Sequence, residues 1–168
     1  EVTVTYTGQP ADVKPVITLV NGEKYTGEIY YSWLGVADSL ILPTDAGSYG
    51  GVKARIPEQD NYNTAITQII LTLRIDPAEQ TGLPPTADEE NIKDTSITLD
   101  TIENAEYKRD DGEWQESPTF TGLEPNKAYT FYARLKADRN HNASPSSAAA
   151  SITTKKTMLD NATVMVNG

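Results

Sequence analysis

Short apolar runs, each closed by turn-forming residues, organise this chain from end to end. Val2, Val4 and Tyr6 alternate with Thr3, Thr5 and Thr7 before Gly8, Gln9 and Pro10, the period-two signature of a half-buried strand. An apolar run over 16–20 meets Asn21-Gly22 and resumes over 24–33. Because Asn-Gly accepts two positive φ angles cheaply, this spacing predicts a two-residue type I′ hairpin. Further strands are predicted over 40–42, closed by Pro43, Asp45 and Gly47; over 49–56, stopped by Pro57; and over 62–75, stopped by Asp76-Pro77. No stretch carries a helical period.

Between residues 77 and 91 the composition shifts to Pro, Thr, Gly and acid, with Pro84-Pro85 stiffening the crossing and Asp88, Glu89 and Glu90 keeping it solvated. The strand pattern then restarts over 96–99, 105–108, 113–115, 119–120, 128–137 and 148–154. Asp111-Gly112 predicts a second tight hairpin, and a two-residue turn there sets Trp114 opposite Arg109. Many short strands with frequent turn signals indicate sandwiches. The expected fold is therefore all-β, with two tandem β-sandwich domains. The first spans 1–77, a Pro/acid linker spans 78–90, and the second spans 83–155. Residues 156–168, with Thr163 to Val166 followed by Asn167-Gly168, read as the start of a following module or a tail.

Leu123-Glu124-Pro125-Asn126-Lys127-Ala128-Tyr129 has a Leu-x-Pro-x-x-x-Tyr spacing, and with it the second half resembles a fibronectin type III domain. The resemblance implies that Tyr129 begins a strand and ties its hydroxyl back to the upstream backbone, with Leu123 and Pro125 completing the corner. The first half is similar to the MBG type of bacterial Ig-like repeat, through Tyr6-Thr7-Gly8-Gln9-Pro10, Ala46-Gly47-Ser48-Tyr49 and Asp60-Asn61-Tyr62. That likeness implies a repeated module of large extracellular proteins, with spacing or adhesion as its work.

Charge narrows the partners. Lys and Arg total 14 against 24 Asp and Glu, and the net charge of −10 repels phosphate backbones and anionic membrane surfaces. Neither nucleic acid nor membrane insertion is expected, since no 18-residue apolar span occurs. Cysteine is absent, which removes disulfides, thiolate metal sites and a thiol nucleophile. Without an apolar leader at Glu1, the chain reads as an internal stretch of a larger protein.

Candidate chemistry is sparse. The one histidine, His141, lies between Asn140 and Asn142 and reads as a solvated loop residue rather than a catalytic base. Pairs of acids suit glycoside hydrolysis, but 24 acids make such pairs by chance and none stands out. Asp110, Asp111 and Glu113, or Asp88 to Glu90, offer oxygen ligands without an EF-hand spacing, so no metal and no cofactor are expected. Leu83-Pro84-Pro85-Thr86-Ala87 fits a loose sortase signal but reads as proline linker. Tyr30, Trp33 and Trp114 are the candidate binding residues, as sugar-stacking platforms or as packed rings. Strand alternation puts Tyr31 and Trp33 on one face and Tyr30 on the other.

The expectation from sequence is a monomeric, non-catalytic spacer segment of a bacterial secreted or cell-wall-associated protein, whose partners are neighbouring β-domains of its own chain. The alternative is an adhesion module for a glycan or host surface protein.

Overall fold

The computed structural model describes residues 1–19, 21–58 and 65–158, with only the backbone course for 65–71. The described chain is all-β apart from one 3₁₀ turn, Glu89–Asn91. It divides into two compact units: Glu1–Glu79 with Asp138–Asn142, and Gln80–Ala137 with the chain from Ala143 onward. Among the described residues no helix is long and apolar enough to cross a membrane.

The first unit holds one five-stranded sheet: β1 (Val2–Thr5), β2 (Tyr30–Trp33), β3 (Val36–Ser39), β4 (Gly47–Ile56) and β5 (Ala65–Asp76), in the order β1-β5-β4-β2-β3. β1 runs parallel to β5, with Val2 beside Leu73 and Val4 beside Ile75; the other pairs are antiparallel. Alternation works as the pleat requires. Val2 and Val4 turn inward while Thr3 and Thr5 face solvent, and Val52, Ala54 and Ile56 are buried along β4. Gly51, at φ 67°, sits in the register shift between Tyr49 and Val52, a bulge position that a side chain would strain. The apolar centre comprises Leu42, Ala46, Val52, Leu73 and Ile75, with Tyr31, Trp33 and Tyr49 packed around it.

The expected strand over 113–115 is only a bridge from Gln115 to Tyr107, and in the first unit two more expected strands do not form, for local reasons. Over 40–42 the chain turns away because the Ser39 hydroxyl donates to Ile41 O (2.6 Å) and accepts from Ile41 N–H (3.2 Å). A side chain that bonds its neighbour's backbone competes with the ladder, and the paired segment moves upstream to Val36–Ser39. Around Asn21-Gly22 pairing is limited to a bridge between Thr18 and Lys24. Leu19 N–H donates to Glu23 O and Gly22 N–H to Leu19 O, so the loop closes on three residues, not two.

The second unit is a sandwich of a three-stranded and a two-stranded sheet. β7 (Ala105–Arg109), β9 (Ala128–Leu135) and β10 (Ala150–Thr153) form the first, in the order β10-β9-β7. β6 (Ser96–Thr98) and β8 (Thr119–Thr121) form the second. Ile97 and Phe120 from one sheet meet Tyr107, Tyr129, Phe131 and Ala133 from the other. The Phe120 and Phe131 rings stand 5.1 Å apart at 55° across the gap, a tilted arrangement that their quadrupoles favour.

The segment expected as a solvated linker over 78–90 is built into this unit from Gln80 onward. Pro85 is fully buried and Ala87 packs on the core. Gly82 lies so close that an added Cβ would stand 3.1 Å from Ala133 O and Pro145 O. Residues 143–149 hold β9 by an unusual device. Ser144 and Ser147 each donate their N–H to a β9 carbonyl, and their hydroxyls accept from Leu135 N–H (2.8 Å) and Ala133 N–H (3.1 Å). The hydroxyls stand in for strand carbonyls and leave no buried donor unpaired. The expected strand over 163–166 and the Asp60-Asn61-Tyr62 motif lie outside the described residues.

Candidate functional site

The three aromatic candidates are held in separate settings. Tyr30 is half-buried, pairs with Arg55 across β2 and β4, and carries the Arg55 guanidinium 5.2 Å from its ring centroid. Arg55 in turn binds Asp38 at 2.8 Å, and Asp38 adopts a positive φ of 52° at the sheet edge. Trp33 packs with Tyr31 against the first core. Leu34, which follows it at the hairpin tip, is 95% exposed.

Trp114 does not lie opposite Arg109. Tyr107 and Gln115 exchange both backbone hydrogen bonds (2.7 and 2.8 Å), which sets Trp114 opposite Lys108. The loop between these strands holds Asp110, Asp111 and Gly112, and Asp110 rather than the glycine takes the positive φ, 48°. The longer loop shifts the register and so changes the cross-strand partner. The Arg134 guanidinium covers Trp114 at 4.4 Å, the Lys108 ammonium approaches at 5.4 Å, and Arg134 is anchored to Glu106 at 2.7 Å. A ring engaged by two cations is already partnered on the sheet.

At the corner, Tyr129 is buried and its hydroxyl accepts from Glu124 N–H at 2.8 Å. Leu123 is buried beside it, whereas Pro125 is exposed and sets up a turn in which Asn126 takes φ 52°. Tyr107 makes a second such tie that sequence reasoning missed: its hydroxyl accepts from Ile102 N–H at 2.6 Å. The signal was thin, a single tyrosine at an inward strand position.

His141 is half-exposed, and its Nδ1 stands 3.0 Å from Asp138 Oδ1. The Asp138 carboxylate also accepts from the Asn140 and His141 backbone N–H groups (2.7 and 2.8 Å), and these bonds hold its pKa below the usual carboxylate value. Asp138 organises the loop, and the histidine ring packs edge-on to Tyr6, 5.3 Å between centroids. Among the described residues, no group of three or more His, Asp or Glu side chains is placed to hold a metal ion.

An apolar groove of about 250 Å³ opens in the first unit beside Val13, Lys14, Tyr31 and Leu42. Burial pushes the Tyr31 hydroxyl pKa upward there, partly opposed by the Lys14 charge.

No protein-family model matches the chain. No curated protein matches it. Among solved structures, the crystal structure of chicken CNTN1 FN1–FN3 domains is similar over 76% of this chain at 14% identity, with a TM-score of 0.33. The match covers 53% of that chain, so this chain spans about half of it.

Proposed function

We propose that this chain is a non-catalytic spacer or presentation segment of a larger bacterial secreted or cell-surface protein. One observation carries the reading: the side chains best suited to chemistry are spent on holding two separate β-cores. Tyr107 and Tyr129 tie corners, Asp138 and His141 order a loop, and Trp114 is engaged by the Arg134 and Lys108 cations. A spacer needs folded cores and a solvated exterior, and the net charge of −10 suits the latter. Small-angle scattering of the chain tests it. Two folded bodies at a restricted separation are expected; a profile of bodies wandering on a long flexible tether sinks the proposal.

A second reading, adhesion to a host protein, draws on exposed apolar side chains at the two ends of the β2–β3 hairpin: Leu34 at its tip is 95% exposed, and Leu40 and Ile41 just beyond β3 are 53% and 59% exposed. It predicts that Leu34→Asp abolishes retention on host-cell surfaces without changing thermal stability. Equal retention of variant and parent counts against it. A glycan platform is the weaker form of adhesion, because the rings it would use already have cationic or core partners.

A further inference from the structure

The first unit is discontinuous in sequence, and its second piece, Asp138–Asn142, is only five residues long. Those residues satisfy backbone groups that residues 1–79 leave open. Ala46, a core residue at 6% exposure, donates its N–H to Asn140 Oδ1 at 2.8 Å, across 94 positions of sequence. The Asn140 amide nitrogen donates to Asp45 Oδ1 at 3.2 Å. Ala78 is bonded on both sides: its N–H donates to Asn140 O (2.8 Å) and its carbonyl accepts from Asn142 N–H (2.9 Å). Asn142 Nδ2 reaches Glu79 at 2.7 Å, and Arg139 pairs with Asp45 at 3.2 Å. Three hydrogen bonds to the Asp138 carboxylate shape the piece from within.

We infer that Asp138–Asn142 is an obligatory part of the first unit, so that residues 1–79 do not reach their native packing until this segment is supplied. The reason is physical. Without Asn140 the N–H of a buried residue loses its acceptor, and an unpaired buried donor is costly. The turn it holds, Asp45-Ala46, leads directly into β4, whose long pairing with β5 builds the sheet. A small unit has little surplus stability to absorb that loss. The inference stands apart from the spacer reading, since it concerns how one unit is completed rather than what the chain does.

Amide hydrogen exchange on the full chain tests it. In Asn140→Ala, the amides of Leu73 and Ile75, on β5 opposite Tyr49 and Gly47 and within the same core, are expected to exchange about tenfold faster or more, while those of Tyr129 and Phe131 hold their rates. Arg139→Ala, which removes one exposed ion pair, is expected to shift exchange by less than about twofold. Faster exchange at Ala46 alone, with Leu73 and Ile75 unchanged, overturns the inference by showing a pendant contact. Equal loss at Tyr129 and Phe131 overturns it too, because the effect is then not confined to the first unit. Exchanging residues 138–142 for Gly and Ser gives the second check: protection of Leu73 and Ile75 that survives this change rules the segment dispensable.

Discussion

Phe131→Ala is expected to destabilise the second unit by about 3–5 kcal/mol. Phe131 is 0% exposed at the middle of β9, the central strand of the three-stranded sheet. Its ring meets Phe120 of the opposite sheet at 5.1 Å, so truncation opens a cavity between the layers rather than at an edge. Neighbours cannot close that gap easily, because Tyr107 and Tyr129 are pinned by their hydroxyls to Ile102 N–H and Glu124 N–H. Small domains carry total stabilities toward the low end of about 5–15 kcal/mol, so the variant should lie near its unfolding midpoint at 37 °C. Urea denaturation followed by tyrosine and tryptophan fluorescence measures this; a loss under about 1 kcal/mol would show that the sheets close over the gap.

Leu73→Ala is expected to cost the first unit about 2–5 kcal/mol. Leu73 is 0% exposed on β5, with Val2 paired to it in parallel on one side and Tyr49 opposite on the other. Both neighbours pack on the same apolar centre. The side chain therefore helps hold the β1 edge and the bulged half of β4 at once, and its removal loosens both. Differential scanning calorimetry should resolve a first-unit transition shifted down with the second left in place. A variant whose two transitions both keep their parental temperatures would refute the assignment of Leu73 to the centre of that core.

Most strands of the second unit were legible because their apolar residues alternate cleanly and their ends carry turn chemistry, as at Ser96–Thr98 and Ala128–Leu135. The first unit was less legible. Leu40-Ile41-Leu42 has a strand composition, yet the Ser39 hydroxyl bonds to the Ile41 backbone and turns the segment. Of its three apolar residues only Leu42 is buried. Apolar composition records what can be buried, and a local side-chain bond decided what was. The candidate aromatics show the same division. The alternation of Tyr30 against Tyr31 and Trp33 follows from the pleat, whereas the partner of Trp114 depended on one extra loop residue.

The β class and the inward and outward faces of most strands were legible along the chain, because these follow from a period of two and from local turn preferences. Tertiary structure alone decided three things. It set Trp114 beside Lys108 through the length of a loop, and it used the Ser144 and Ser147 hydroxyls as strand acceptors. It also brought Asn140 to the Ala46 N–H. Each is a single hydrogen-bonding or register choice made between residues distant in the chain, and such a choice leaves no periodic trace because its partner is set by the path of the backbone, not by its neighbours.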